Sequence, residues 1–308
     1  GEMLWVGGTN TGVHVVDTTD LDAPSVVTRF EAEAMGGVSA GPLFAVGNVL
    51  IVAPPKDGHG IATLDISNPA EPALLDFHFE DTKSYIGWAY GSDLYLLDPF
   101  RRFDVLTDPT NILHLGEVES PDSEYVSFGD GHAFIGSMRP LAGIFKVPLV
   151  DDLSATDFSE FVPGRPIVDE PLRIIFQDDQ FSIPIGNLLV ISDDEVEIGS
   201  ALAVHATAPD AVPPRVMYGN PPDGATAQAV TSRVGLSFSD AIDLRTVDAD
   251  SLILRPVGGE AVTGMWGNVQ THVSFWPDSP LQADTTYELV VPAGGINDLA
   301  GNPVAEAY

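Results

Sequence analysis

Short runs in which apolar and polar residues alternate fill the first two thirds of the chain. An alternation with a period of two predicts β-strands, because successive side chains of a strand point to opposite faces of a sheet. Gly, Pro and Asp separate the runs, and no stretch shows the apolar spacing of an amphipathic helix. The pattern therefore predicts an all-β fold of short antiparallel strands.

One of these runs occurs several times, followed by a similar turn. The runs GVHVVDTTD (12–20) and GIATLDISN (60–68) align residue by residue, and prolines follow both. Weaker copies begin at Phe100, Gly143 and Gly186, so the copies start 40 to 48 residues apart. Before most copies lie two more runs and after each lies another, which makes four strands per period. Units of four short strands with this period are typical of β-propeller blades.

The first copy has a single run before it, at residues 3–9, so the first blade is predicted to lack one strand. We predict a partial β-propeller over residues 1–207, with about five four-stranded blades of which the first is incomplete. No run at the end of this region completes the first blade, so missing N-terminal blades are expected. Strand edges left open in this way predict that the chain associates with itself.

The period stops at a Pro-rich segment, which we interpret as a stiff linker over residues 208–213. Short strands at the spacing of a β-sandwich follow it. Tyr287 comes after a leucine and a turn and enters a strand, as in the tyrosine corner of Ig-like folds. Residues 214–308 are therefore predicted to form an Ig-like β-sandwich.

Both parts resemble known families. GVHVVDTTDLDAP and GIATLDISNPAEP resemble the LVIVD repeat of bacterial and archaeal extracellular proteins, with a likeness that extends over residues 1–206. The motifs PPDGAT, LSFSDAID, FWPDSPLQADTTYEL and INDLAGNP resemble, in this order, a bacterial Ig-like domain of the surface-layer and adhesin type. The resemblance implies a propeller at the cell surface or in a secreted protein, with the Ig-like domain as a spacer. It implies no catalytic residues.

Composition narrows the choice of partner. The chain has 13 Lys and Arg against 45 Asp and Glu, a net charge of -32, which disfavours nucleic acid and anionic membranes as partners. Disulfides and thiolate sites are excluded because there is no cysteine. No apolar run reaches the ~18 residues of a membrane span, and no signal-peptide pattern is visible. We expect an extracellular or cell-surface protein.

The function predicted is binding or scaffolding at the cell exterior, with the propeller as the interaction platform. The alternative is a secreted carbohydrate-active enzyme, a lyase or hydrolase, with its site in the propeller. Ser39 lies in GVSAG, which matches the G-x-S-x-G nucleophile elbow. That elbow needs a helix directly after the serine, and none is predicted here, so no catalytic residue is assigned.

The candidate binding residues are basic residues on or beside loops that share one face of the predicted blades. We expect them to engage an acidic polysaccharide or the acidic surface of a cell-surface protein. The alternative is that each base pairs with a nearby acid. The predicted rim consists of Lys56, His59, Arg101, Arg102, Arg139 and Arg165.

A candidate calcium site lies in the acidic loop DAIDLRTVDAD, and no other cofactor is predicted. Calcium takes six to eight oxygen ligands, of which loop carboxylates supply a part. The alternative is a solvated acidic loop without an ion. The carboxylates concerned are Asp240, Asp243, Asp248 and Asp250.

Overall fold

The computed structural model confirms the all-β class, since strands make up 47% of the described residues and helix 4%. The helical turns described are the 3-10 helices Ala32–Met35, Leu153–Ala155 and Leu244–Thr246. In the described residues, no helix has the length and apolar character needed to cross a membrane. The structure describes residues 3–79, 85–121, 123–129, 131–137, 143–163, 180–185, 188–193, 201–206 and 209–308.

Five antiparallel sheets follow one another along the chain, and in each the strands pair in chain order. Sheet 1 contains β1 (Met3–Gly7), β2 (Val13–Asp17) and β3 (Ser25–Phe30). Sheet 2 contains β4 (Leu43–Val46), β5 (Val49–Val52), β6 (Ile61–Asp65) and β7 (Ala73–His78). Sheet 3 contains β8 (Tyr85–Tyr90), β9 (Asp93–Leu97), β10 (Phe100–Asp104) and β11 (Leu113–Val118). Sheet 4 contains β12 (Ser123–Gly129), β13 (His132–Ser137), β14 (Gly143–Pro148) and β15 (Phe161–Pro163). Sheet 5 contains β16 (Gln180–Ile185), β17 (Leu188–Asp193) and β18 (Ala201–Ala206).

The aspartate that recurs in the repeated run has a local structural role. It is the last residue of β2 in sheet 1, of β6 in sheet 2 and of β10 in sheet 3. The side chains of Asp17 and Asp65 each accept a hydrogen bond of 2.8 Å from the backbone N–H two residues further on. Asp104 accepts from the N–H of Thr107 at 3.0 Å. These bonds shape the turn into the fourth strand, which explains why an acid recurs with the repeat.

Sheet 5 differs from the strand assignment predicted for the fifth copy. The run beginning at Gln180 was expected to be a second strand, and the run after Gly186 a third. In the structure, β16 contacts β12, the first strand of sheet 4, just as β12 contacts β8, the first strand of sheet 3. Among the described residues, the strands β16, β17 and β18 are therefore the first, second and third of their sheet. The error arose because the alternation of a strand does not show which position in the sheet it takes.

Apolar faces hold neighbouring sheets together. Sheets 1 and 2 share a buried cluster that includes Val13 and Leu64, and sheets 2 and 3 share one that includes Phe44 and Phe103. Sheets 3 and 4 share a third cluster, around Phe128. Each sheet from 2 to 4 is thus covered on both faces. The described residues form no closed ring, and the propeller arrangement itself stays a prediction.

The C-terminal part is a β-sandwich of six strands. These are β19 (Val216–Asn220), β20 (Val234–Phe238), β21 (Ile253–Pro256), β22 (Gly264–Val269), β23 (His272–Pro277) and β24 (Tyr287–Val290). One sheet has the order β19-β20-β23-β22, and β21 pairs with β24 in the other. The backbone N–H of Gln282 donates to the Tyr287 hydroxyl at 2.8 Å, so the predicted tyrosine corner is present.

Candidate functional site

In sheets 2 and 3, the turn between the first and second strands contacts the sandwich. In sheet 2 this turn is Gly47-Asn48. Side chains of the sandwich bond to its backbone, and the side chain of Asn48 bonds to the backbone of the sandwich. The N–H of Asn48 donates to Asn220 Oδ1 at 3.0 Å, and the Asn48 Oδ1 accepts from the N–H of Arg233 at 3.0 Å. Ser274 Oγ donates to the Ala45 carbonyl at 3.1 Å and accepts from the N–H of Gly47 at 3.2 Å. All four groups of this turn region are therefore satisfied across the interface.

Backbone meets backbone at this turn. A Cβ on Gly235 of β20 would lie 2.0 Å from the nitrogen of Gly47 and 2.6 Å from the carbonyl carbon of Val46. Gly47 itself has a φ of 59°, a conformation that glycine adopts without strain. The contact thus requires a residue without a side chain on both partners.

The corresponding turn of sheet 3 brings the Gly91 carbonyl into the same face of the sandwich. Ser237 Oγ donates to this oxygen at 2.6 Å, and His272 Nε2 donates to it at 3.2 Å. Nearby, the Tyr90 hydroxyl donates to the Ser239 carbonyl, and Trp88 Nε1 donates to Gln270 Oε1 at 2.6 Å. A single carbonyl thus receives two buried donors from the sandwich.

The docking face, as we call it, consists of Gly235, Ser237, His272 and Ser274. In the register of β20 and β23, Gly235 lies opposite Ser274 and Ser237 opposite His272, so the four share one side of the sheet. Ser237, His272 and Ser274 are all at most 3% exposed. The other side of these strands carries the apolar core of the sandwich. Sequence reasoning missed this face because small polar residues that alternate with apolar ones normally indicate a side open to water.

Four residues of the predicted basic rim, Lys56, His59, Arg101 and Arg102, lie in the part of the chain that the structure describes. Lys56 is exposed on the loop between β5 and β6, and His59 of the same loop stacks against Phe79 with ring centroids 5.9 Å apart. These two positions agree with the predicted loop face. Arg139 and Arg165 lie outside the described residues.

Arg101 and Arg102, predicted to lie on or beside a loop, are the second and third residues of the strand β10. Arg101 is 2% exposed, and this burial lowers its pKa, while Glu117 opposes the shift. Arg102 Nε lies 2.6 Å from Asp93 Oδ2, and its Nη1 lies 3.7 Å from Asp151 Oδ1. Burial raises the pKa of Asp93, against the opposing effect of Arg102. At Arg102 the alternative reading, a base paired with nearby acids, is therefore the correct one.

The acidic loop after β20 is shaped by its own side chains. Asp243 Oδ2 lies 2.7 Å from Arg245 Nη2, and Asp248 Oδ1 accepts from the N–H of Asp250 and of Ser251, each at 2.9 Å. These bonds hold turns of the loop. The carboxylate cluster that includes Asp240 does not contain Asp243, Asp248 or Asp250 in the described residues, so the four predicted carboxylates are not brought to one point.

Asp240 instead meets two aspartates that the calcium prediction did not include. Carboxylate oxygens of Asp210, Asp240 and Asp298 all lie within 4.8 Å of one another. Asp240 is 8% exposed and Asp298 is 1% exposed. Asp298 also accepts from the N–H and the side-chain amide of Asn302, at 2.8 and 3.0 Å. Three carboxylates so close repel one another, and a divalent cation would relieve that repulsion.

Ser39 does not occupy a nucleophile elbow. It is 5% exposed, its Oγ donates to Asn10 Oδ1 at 3.3 Å, and the next regular element is strand β4 rather than a helix. The small-residue segment around it lies where sheets 1 and 2 meet, since the N–H of Ser39 donates to the His59 carbonyl at 3.1 Å.

Comparison with known families identifies the C-terminal part. Its fold is that of an Ig-like sandwich, and residues 210–308 match the model of a bacterial Ig-like domain. Domains of this family are typical of bacterial surface proteins. The family comparison gives no match to the LVIVD repeat, and no curated protein matches the chain.

The docking face gives a first prediction, on stability. Ser274→Ala leaves the Ala45 carbonyl and the Gly47 N–H buried without their partner, which costs about 1–3 kcal/mol of the free energy of unfolding. Urea unfolding followed by tryptophan fluorescence measures this loss. The control is Ser279→Ala, at an exposed position of the same domain, which we expect to change stability by less than about 0.5 kcal/mol. Equal effects of the two substitutions would contradict the role of the docking face.

A second prediction concerns pH. Burial lowers the pKa of His272 to about 4 in the folded chain, from a usual value of 6.5. The unfolded chain therefore takes up a proton first as the pH falls, and the stability present above pH 6.5 is lost progressively down to pH 4. Between pH 7.5 and pH 5 this loss amounts to about 2 kcal/mol.

The control for this prediction is His272→Gln, whose side-chain amide can still donate to the Gly91 carbonyl but does not titrate. Urea unfolding of both proteins at the two pH values isolates the contribution of His272 from that of the other titrating groups. We expect a smaller loss at low pH in the variant. The same loss in both proteins would rule out His272 as the cause.

Proposed function

We propose that the protein is a cell-surface binding scaffold in which the Ig-like sandwich and the sheets act as one rigid piece. The observation that carries this proposal is the docking face, which fixes the sandwich on the turns of sheets 2 and 3 by buried hydrogen bonds. A spacer that extends away from the sheets would not need such bonds. The typical occurrence of this Ig-like family in bacterial surface proteins supports the location.

The position of the sandwich also indicates which end of the sheets meets a partner. The first and second strands of sheet 2 run in opposite directions, so the loop between β5 and β6 lies at the end remote from the Gly47-Asn48 turn. This loop is held in place, because the N–H of Gly87 donates to the Pro54 carbonyl at 3.4 Å. It carries Lys56, and next to it His59 and the 44% exposed Phe79 form an aromatic pair. We infer that this loop end engages the acidic partner.

Binding to polygalacturonate, an acidic polysaccharide, tests the loop end. We expect the parent protein to bind at low salt and more weakly at moderate salt, because salt screens charge attraction. Lys56→Glu should weaken binding about tenfold, the effect of losing roughly 1.4 kcal/mol of charge interaction. Isothermal titration calorimetry measures both effects.

Arg215→Glu, the same reversal of charge at an exposed site of the sandwich directly before β19, is the matched control and should bind as the parent does. Absence of binding by the parent at low salt would refute the polysaccharide as a partner. Equal binding of Lys56→Glu and the control would show that the loop end is not the site.

Calcium remains part of the proposal, at a changed position. We infer that Asp210, Asp240 and Asp298 supply the ligands, since Asp243 already pairs with Arg245. Calcium would then join the linker, which carries Asp210, to two loops of the sandwich. The ion would stabilise this junction by binding the folded state alone.

Calorimetric titration with Ca²⁺ and thermal unfolding distinguish the two candidate positions. Calcium should raise the Tm of the parent and of Asp243→Asn, and should raise that of Asp298→Asn much less. The Asp298→Asn substitution keeps the shape of the side chain and removes its charge. A Tm that calcium does not change in the parent, or equal responses of the two variants, would contradict the assignment.

A further inference from the structure

Among the described residues, the first and last sheets of the series, sheets 1 and 5, expose faces whose equivalents are buried in sheet 2. In each sheet we call the face towards the next sheet the forward face, and the face towards the previous sheet the back face. In sheet 2 the forward face carries Phe44, Val46 and Val49, which pack in the cluster shared with sheet 3. Its back face carries Leu50 and other residues that pack against sheet 1.

Sheet 1 repeats the back face of sheet 2 without a cover. Leu4 lies opposite Val16 in the strand register, as Leu50 lies opposite Leu64. Leu4 is 53% exposed, whereas Leu50 is 1% exposed. The next equivalent pair is Val6, 40% exposed, and Val52, 0% exposed.

Sheet 5 repeats the forward face, again without a cover. Its first two strands end in the pair Ile185 and Leu188, as those of sheet 2 end in the pair Val46 and Val49, and in both the intervening sequence is Gly-Asn. Ile185 is 43% exposed and Leu188 40%, whereas Val46 is 0% and Val49 3% exposed.

One position further from the turn, the comparison is the same. Ile183 of sheet 5 is 40% exposed, and its equivalent in sheet 2, Phe44, is 1% exposed. The other side of sheet 5 packs on sheet 4, where Ser182 Oγ lies 3.2 Å from Ser127 Oγ in a buried pair. Sheet 5 thus has a covered back face and an apolar, uncovered forward face.

We propose that two copies of this chain associate head to tail, with the forward face of sheet 5 in one copy packed on the back face of sheet 1 in the next. Sheets 1 to 4 already form this forward-to-back contact three times within one chain. Exposed apolar patches of this kind mark interaction surfaces. The surface that fits the forward face of sheet 5 is the back face of another sheet of the same repeat. Every copy of the chain carries such a back face on sheet 1.

The two faces are different surfaces, so the contact is heterologous rather than symmetric. A heterologous contact leaves one forward and one back face free on the pair, which allows further copies to add. The inference does not depend on the acidic partner or on calcium, because it involves neither the loop end nor the aspartate cluster.

Complementation between two variants tests both the contact and its polarity. Leu4→Arg places a charge on the back face of sheet 1, and Ile185→Arg places one on the forward face of sheet 5. Sedimentation velocity over about a hundredfold range of concentration should show association of the parent that increases with concentration. Each variant alone should lose the associated species. An equimolar mixture should form a dimer and nothing larger, because the one intact forward face meets the one intact back face.

Leu21→Arg is the control, since Leu21 is 78% exposed in the turn between β2 and β3 and should leave association unchanged. Circular dichroism verifies that all the variants are folded. A parent that stays monomeric at every concentration overturns the proposal, and indicates that the two faces are covered within one chain or by a different protein. Single variants that associate like the parent, or a mixture that stays monomeric, also overturn it.

Discussion

The hydrogen bonds that Ser237 and His272 donate to the Gly91 carbonyl fix the relation between the two parts of this protein. A buried carbonyl without a donor is costly, and a buried hydroxyl or imidazole without an acceptor is equally so. The three groups satisfy one another only when the turn of sheet 3 enters the docking face in one orientation. The bonds of Asn48, whose N–H donates to Asn220 and whose Oδ1 accepts from the N–H of Arg233, set the same orientation at sheet 2. Hydrogen bonds of this kind give a contact its direction, which apolar packing alone does not.

This orientation decides how the charged residues of the chain are used. The turns that meet the sandwich are closed to a partner, and the loop that carries Lys56 is at the opposite end. Many of the acids behind the net charge of -32 form turns, as Asp17 and Asp65 do, so the acidic composition is partly a product of the repeat. Arg102 is used in the same local way, against Asp93. Because so many of its charges serve local structure, this strongly charged chain has few of them at its proposed binding site.

Packing of forward faces on back faces is the second organising contact. It is apolar and tolerant of sequence, which is why Leu, Val, Ile and Phe replace one another between sheets at equivalent positions. The same tolerance allows an uncovered face to accept any copy of its counterpart. The exposed pairs around Leu4 and Ile185 follow from this rule, since the repeat places apolar residues at these positions in sheets 1 and 5 as it does in sheet 2.

The sequence by itself determined the features that depend on neighbouring residues. Alternation identified the strands, turn residues bounded them, and the leucine, turn and tyrosine around Tyr287 indicated the corner of the sandwich. These signals are local, because side-chain direction in a strand and turn geometry depend on a few adjacent residues. Only the tertiary structure decided that Arg101 is buried, that Asp240 meets Asp210 and Asp298, and that His272 and Ser274 face another sheet instead of water. Each of these depends on which surface arrives from a distant part of the chain, and alternation shows that a residue points to one side without showing what lies there.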